Sequence, residues 1–362
     1  MTEFHPLTIA AVDGETDDAV RVSFEVPPSL ADTFRFEHGQ YLTLKSEIDG
    51  EEVRRSYSIC AGLDDEALQV AVKRVEGGVF STYANETLRS GDVVEVMPPE
   101  GTFTCALDSK HAKTYLCIAA GSGITPIISI VKSILAREPD SHVTLLYGNQ
   151  KVASIMFREE LELLKNRYMA RFQLIHILSR ENRDTEILNG RIDNAKGGEL
   201  IHGLLDLAST DEFFLCGPEA MISEVSRGLR ASGIDEARIH YELFGASAED
   251  AATAVEKHHE RARRHGGKVC AVTVKSDGRE TTLEITPDGE NILDAATDAG
   301  LDLPFACKGG VCATCKARVT EGEVDMDLNH ALEPAEVAEG YVLSCQAHPV
   351  TDTVVLDFDA AR

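Results

Sequence analysis

No stretch of this chain is apolar for long enough to cross a membrane, and its first residues, MTEFHPLTIAAV, carry no basic segment ahead of an apolar one. We therefore expect neither a membrane anchor nor a secretory leader, and a cytoplasmic protein. Basic residues are scarce, 35 Lys and Arg against 61 Asp and Glu, for a net charge of −26. That deficit argues against nucleic acid or an anionic membrane as partner. No internal repeat or low-complexity tract is present, and no Ser-His-Asp set for nucleophilic catalysis. His258, His259 and His265 lack metal-ligand spacing and read as solvated. Nor do the nine cysteines form a disulfide framework. Once four with a special spacing are set aside, Cys60, Cys105, Cys117, Cys216 and Cys270 remain, an odd number at irregular intervals that fits a reducing compartment.

The special four are Cys307, Cys312, Cys315 and Cys345, read C-x4-C-x2-C and then, after 29 intervening residues, a last cysteine. This is the plant-type spacing for a [2Fe-2S] cluster, in which one tight loop supplies three of four thiolates. Four cysteines also suit tetrahedral zinc, but zinc sites usually come as two short-spaced pairs. Upstream, NILDAATDAGLDLPFAC reads as an amphipathic helix with Ile292, Leu293, Ala296 and Ala299 inward and Gly300 just past its end. With the β-rich runs KVCAVTVKS, ETTLEITP, CKARVTEGEV and TVVLDFD, this predicts a β-grasp (α+β) ferredoxin fold over residues 267–362.

A length of 362 residues suggests two to three domains. Residues 267–362 hold seven Lys and Arg against 18 Asp and Glu, a net −11, and residues 1–245 hold 24 against 39, a net −15. The intervening 246–266 is neutral, rich in Ala and charge, and lacks apolar periodicity. It reads as a linker candidate, partly helical, that as a flexible chain would reach ~70 Å when extended.

Residues 1–109 contain six short β-rich runs separated by turn signals, which predicts a small antiparallel barrel. Within them, alternation puts Arg55 and Tyr57 of RRSYS on one face of a strand, a guanidinium fork for pyrophosphate beside a ring that can stack on a heterocycle. Gly77-Gly78 and Ser81 offer amides at a helix start for the same phosphate. Residues 110–245 change period. YLCIAAGSGITPIISIVKSIL runs strand, glycine turn and helix, with Thr125 expected as N-cap and Pro126 at the first helical position. VTLLYGN, RFQLIHILSRE and EFFLCGPEAM repeat the strand-then-loop pattern, predicting a doubly wound α/β domain that binds its ligand at the carboxyl ends of the strands. GSGITP is not the GxGxxG fingerprint, so alone it is compatible with plain strand-to-helix punctuation.

RSYS, GSGITP and CGPEAM, in this order and joined to the cysteine loop, resemble the ferredoxin-NADP⁺ reductase superfamily. Nearly the whole chain is similar to the reductase subunits of phenylacetyl-CoA epoxidase complexes, through EEVRRSYSIC, AAGSGITPIISI, FLCGPEAMI, YELF and the stretch from LPFACKGGVCATC to DMDLNHAL. The resemblance implies FAD held by Arg55, Tyr57 and Ser58, its pyrophosphate near Gly78, Val79, Phe80 and Ser81, with FMN the alternative flavin. It implies a nicotinamide reaching Thr125 and Cys216 among Gly121, Gly123, Gly217 and Pro218, and a flavin site closed by Glu242 and Phe244. Ser58, Thr125, Cys216 and Glu242 are the catalytic candidates. Ser179 and Arg180 lie where the adenosine ribose would sit, and a hydroxyl with a guanidinium suits a 2′-phosphate, which favours NADPH. NADH stays open, because Gln150-Lys151 departs from the Arg often found there in NADPH-using relatives. The implied activity passes electrons from NAD(P)H through FAD and [2Fe-2S] to an oxygenase, the di-iron epoxidase of phenylacetate catabolism. The alternatives are a Rieske-type oxygenase as acceptor, such as a 3-ketosteroid 9α-hydroxylase, and a non-catalytic redox-sensing flavoprotein.

Overall fold

A computed structural model gives the fold and describes residues 4–192, 206–245 and 248–361. The chain forms two compact units, one from Phe4 to Leu243 and one from Phe244 to Arg362. Among the described residues, no helix is long and apolar enough to cross a membrane.

The first unit begins with six antiparallel strands: β1 (His5–Thr16), β2 (Ala19–Glu25), β3 (Tyr41–Ile48), β4 (Glu51–Ser58), β5 (Leu68–Lys73) and β6 (Val93–Val96). Their order is β4-β3-β6-β1-β2-β5. The two edge strands meet where the chain beyond β4 pairs with β5, through the Ile59–Val70 bridge and a 2.9 Å bond from the Cys60 N–H to the Gln69 carbonyl. The sheet is thereby closed into a barrel, as the turn-separated β-rich runs predict, and neither edge is left as a template for aggregation. Alternation explains the core: Leu42 and Leu44, Val70 and Val72, and Val94 and Val96 all point inward and are buried. Helix Val79–Glu86 lays Phe80 and Ala84 on that core.

The same unit continues with five parallel strands: β7 (Thr114–Ala120), β8 (His142–Asn149), β9 (Phe172–Leu178), β10 (Glu212–Cys216) and β11 (Ile239–Glu242). The order β11-β10-β7-β8-β9 means that the chain winds outward one way from β7, then returns to its other side. The reversal between β7 and β10 creates a crevice at their carboxyl ends, where doubly wound sheets bind ligands. Helix Ile124–Arg137 follows β7 and is buried along most of its length. Its start differs from expectation: Gly123 is the N-cap, after a 3-10 turn over Gly121–Gly123, and Thr125 lies inside the helix. The Thr125 hydroxyl instead donates to the Ser122 carbonyl at 3.0 Å, tying the helix back onto the turn. Barrel and parallel sheet are joined by a chain of ion pairs. Arg21 meets Glu15 and, at 3.1 Å, Glu160, which also meets Lys132, itself paired with Asp65.

The second unit has a five-stranded sheet of order β13-β12-β18-β14-β16, built from β12 (Cys270–Ser276), β13 (Arg279–Ile285), β14 (Lys316–Glu321), β16 (Tyr341–Leu343) and β18 (Thr353–Asp357). β15 (Val324–Met326) and β17 (Ala347–Pro349) form a separate pair. Helix Ile292–Asp298 buries Ile292, Leu293 and Ala296 against the sheet, and Gly300 follows it at φ +86°, as the sequence predicts; Ala299, expected inward, is exposed because the helix ends before it and it serves as the C-cap. The expected flexible linker is different. Ala248–His265 is a continuous 18-residue helix, and it is fastened to this unit. Arg261 is 3% exposed, with Nη1 donating to Asp325 at 2.9 Å and Asp327 at 2.5 Å and Nε to the Pro287 carbonyl at 3.1 Å. Lys257 donates to the Met326 carbonyl at 2.6 Å, and His330 pairs with Asp250 at 2.9 Å. The segment lacks apolar periodicity because its tertiary contacts are polar.

Candidate functional site

Two constellations stand out, one in each unit. In the second unit, Cys307 is half-buried, whereas Cys312, Cys315 and Cys345 are buried. The loop carrying the first three turns sharply through left-handed backbone at Lys308 (φ +51°), Gly310 (φ +75°) and Ala313 (φ +53°). Lys308 and Ala313 accept a conformation that L residues rarely adopt, which requires the surroundings to hold the loop. Lys308 is held from both ends, its Nζ donating to Asp294 at 2.6 Å and its carbonyl accepting from Gln346 Nε2 at 3.1 Å. The sulfurs associate as two pairs, Cys307 with Cys312 and Cys315 with Cys345. The Cys312 thiol and the amides of Gly309, Val311 and Cys312 outweigh burial and bring Cys307 down to about 5. Cys345 is likewise lowered, by Cys315 first and then by Gln346 and the Gly310 amide.

Four soft donors in two pairs, with N–H groups aimed at the sulfurs, fit a two-iron centre held by thiolates. Among the described residues, no three His, Cys, Asp or Glu gather as they would around a single ion.

In the first unit the crevice between β7 and β10 gathers most of the remaining candidates. Cys216 ends β10, in register with Ala119 of β7 on one side and Glu242 of β11 on the other. A side chain at Gly123 would place its Cβ 2.2 Å from the Cys216 carbonyl, so only glycine lets the helix start approach this closely. Gly123 therefore adjoins Cys216 and Gly217, with Gly121 and Thr125 two residues to either side of it and Pro218 next along the chain. From the barrel side, buried Ser58 donates to Glu242 Oε2 at 3.0 Å. Burial pushes the Cys216 thiol well up, with the Glu242 carboxyl adding to it, so this thiol is neutral. Burial also raises Glu242 to about 8, against the lowering effect of the Ser58 hydrogen bond. A neutral thiol, a neutral carboxyl and a hydroxyl thus lie together at the carboxyl ends of β10 and β11 near pH 7 and add no net charge there.

Arg55 is exposed on β4 and Tyr57, two residues on, is half-buried with its ring 5.6 Å from that of Phe80. Tyr57 thereby borders the helix start at Gly78 and Val79, whose first-turn amides have no partner within the helix. The Ser81 hydroxyl is engaged locally, accepting from the Val75 N–H at 3.1 Å and donating to the Gly78 carbonyl at 3.2 Å, so it shapes the turn. Ser179 and Arg180 follow β9, two strands beyond β7 and so roughly 10 Å from the Gly121 turn. Their N–H groups donate to the Asn149 and Gln150 carbonyls, both at 2.9 Å, which puts Arg180 beside the exposed Lys151. Phe244 opens the second unit and is 46% exposed. Sequence reasoning missed Gln346, Lys308 and Asp294 in the cysteine site. Their only signal is adjacency to a cysteine or to the preceding helix.

Residues 6–105 match the oxidoreductase FAD-binding domain, residues 117–227 the oxidoreductase NAD-binding domain and residues 274–350 the 2Fe-2S iron-sulfur cluster binding domain. The chain is 48% identical over 360 residues, 99% of both chains, to a subunit of 1,2-phenylacetyl-CoA epoxidase from Escherichia coli strain K12. It is 33% identical over 355 residues, 97% of this chain and 96% of the other, to the ferredoxin reductase component of 3-ketosteroid-9-alpha-monooxygenase from Rhodococcus rhodochrous. Among solved structures, phthalate dioxygenase reductase shares the fold over 98% of each chain, with a TM-score of 0.59 at 23% identity.

Proposed function

The chain belongs to the family of oxygenase reductases that join FAD-binding, NAD-binding and 2Fe-2S domains, and from that membership we propose that its electrons go to a di-iron phenylacetyl-CoA epoxidase. It is an NAD(P)H-dependent oxidoreductase. The observation that carries the choice of acceptor is 48% identity along 99% of both chains to a component of an epoxidase, against 33% to a ketosteroid monooxygenase component. When bound, the flavin converts a two-electron hydride into single electrons and the cluster carries them one at a time.

This chain's residues supply placement. In our reading Arg55 and the Gly78–Ser81 turn bind the flavin pyrophosphate, Tyr57 packs on the ring system, and Ser58 with Glu242 contacts its edge. Thr125 and Cys216 orient the nicotinamide, with Gly121, Gly123, Gly217 and Pro218 allowing its close approach. Cys307, Cys312, Cys315 and Cys345 hold the cluster. The other five cysteines form no disulfide among the described residues, and we read the setting as cytoplasmic.

Glu242 gives the hydride step a pH signature. The unfolded chain ionises this carboxyl near its ordinary 4.5 and the folded chain near 8, so its contribution to stability is full below 4.5 and fades as pH rises toward 8. Flavin reduction should slow as pH passes about 8, and Glu242→Gln should flatten that limb. Stopped-flow absorbance across pH measures it; an identical limb in the variant would remove Glu242 from the step.

Arg180 beside Lys151 suits a 2′-phosphate and so favours NADPH. Loss of a charge-assisted contact costs about 1.5–3 kcal/mol, so Arg180→Ala should weaken NADPH roughly 10- to 100-fold and leave NADH nearly unchanged. Equal losses in titrations with both nucleotides would favour NADH as donor.

The acceptor is tested by reconstitution. Residues 267–362 carry a net −11, so docking on a basic patch of the oxygenase should weaken as the Debye length falls from about 10 Å at 0.1 M salt to about 3 Å at 1 M. NADPH-dependent oxygen uptake with the epoxidase and phenylacetyl-CoA should therefore fall with salt while flavin reduction does not. Coupling that ignored salt would end the steering argument, and no coupling at all would transfer the proposal to a Rieske-type oxygenase.

A further inference from the structure

We propose that Gln346 sets the reduction potential of the [2Fe-2S] centre, through a side-chain amide that hydrogen-bonds a ligand sulfur; this rests on the cluster reading of the four cysteines. Gln346 is 7% exposed, and its Nε2 lies 3.5 Å from Cys345 Sγ, 2.9 Å from the Cys345 carbonyl and 3.1 Å from the Lys308 carbonyl. The amide thus bridges the two chain segments that bring the cysteines together, its two N–H groups shared among two carbonyls and the Cys345 sulfur. It cannot easily turn away. The Gln346 N–H donates to the Leu343 carbonyl at 2.9 Å, and its carbonyl accepts from the Asp327 N–H at 2.9 Å. A side chain at Gly310 would bring its Cβ 3.3 Å from Gln346 Cγ, so the cysteine loop closes tightly over the glutamine.

Reduction adds one electron to the centre and makes or breaks no bond; the electron comes from the flavin, which NAD(P)H has reduced. The added charge is spread onto the sulfurs, so a fixed N–H donor in a buried site stabilises the reduced form more than the oxidised one. Gln346 therefore makes the centre easier to reduce. The amide orientation follows from three acceptors surrounding Nε2, whereas the opposite assignment would point the oxygen at two carbonyls.

The test uses the full-length holoprotein. Gln346→Met keeps the length and burial of the side chain and removes the donor. Its reduction equilibrium should fall about tenfold, about 59 mV for a one-electron couple, with iron content, visible spectrum and flavin reduction by NADPH unchanged. A change under about twofold in a fully loaded variant would overturn the proposal. A second measurement needs no variant: with glutamine side-chain amides labelled with ¹⁵N, pulsed EPR of the reduced wild-type centre should show a hyperfine coupling that Gln346→Met lacks. No such coupling in the wild type would also overturn it. Wild-type protein without about two irons and the spectrum of the cluster would overturn both this proposal and the reading beneath it.

Discussion

Cys315→Ser should empty the iron–sulfur site while leaving the flavin reducible by NAD(P)H. A serine hydroxyl is a hard oxygen donor of high pKa, and three remaining thiolates do not complete a [2Fe-2S] shell that requires four. The loop itself should survive, because its anchors do not use the sulfur: the Cys315 carbonyl accepts from Ser344 Oγ at 2.9 Å and from the Ser344 N–H at 3.1 Å. Iron should fall from about two per chain to near zero, and oxygenase-coupled turnover should fall more than about 100-fold, since the one-electron path is gone. Reduction of ferricyanide, which can draw electrons from flavin directly, should persist. A variant that retained the full visible spectrum of the cluster would show that the ligand set is misassigned.

Replacing Cys216 by alanine is the second large effect, and it acts on the other half of the reaction. The thiol is fully buried and neutral, between the β7 turn and Glu242, with its own carbonyl pressed against Gly123. Its removal leaves room for about one sulfur atom at the point where we place the nicotinamide. A displacement of about 1 Å there can cost about 100-fold in rate, because hydride transfer depends on approach and alignment. Flavin content and NADPH affinity should stay near wild type, since the residues we assign to the pyrophosphate and the ribose lie elsewhere. Stopped-flow flavin reduction should therefore lose its limiting rate and keep its half-saturation. Wild-type rates would make Cys216 a packing residue only.

The parts of this protein that were legible in its sequence are those set by local chemistry. The cysteine spacing is legible because a cluster fixes how far apart its ligands can stand along one loop. The six barrel strands and the glycine turn before Ile124 are legible because alternation and turn residues act over a few positions. Thr125 was misplaced as N-cap because a 3-10 turn lets Gly123 take that role, and threonine at this point looks the same in either register. β16 and β17 went unseen because each is three residues long and takes its definition from partners elsewhere. Gln346 was invisible for the same reason: Lys308 lies 38 residues away along the chain. The supposed linker is the sharpest case, since what orders it is a contact between Arg261 and Asp327, 66 residues apart.

That helix changes where one would cut the gene. A fragment or chimaera begun at residue 267 would look sensible from the cysteine motif, yet it would remove Arg261, the shared partner of Asp325 and Asp327, and leave Asp327 with His348 at 3.2 Å. Asp327 is pushed up by burial but held below its ordinary range by the hydrogen bonds from His348 and Arg261, so the truncation would take away one of the two donors that keep it ionised. Any transplant of this electron carrier onto another reductase should therefore begin before Ala248, and domain-shuffling designs that treat 248–265 as replaceable spacer should yield poorly folding chimaeras.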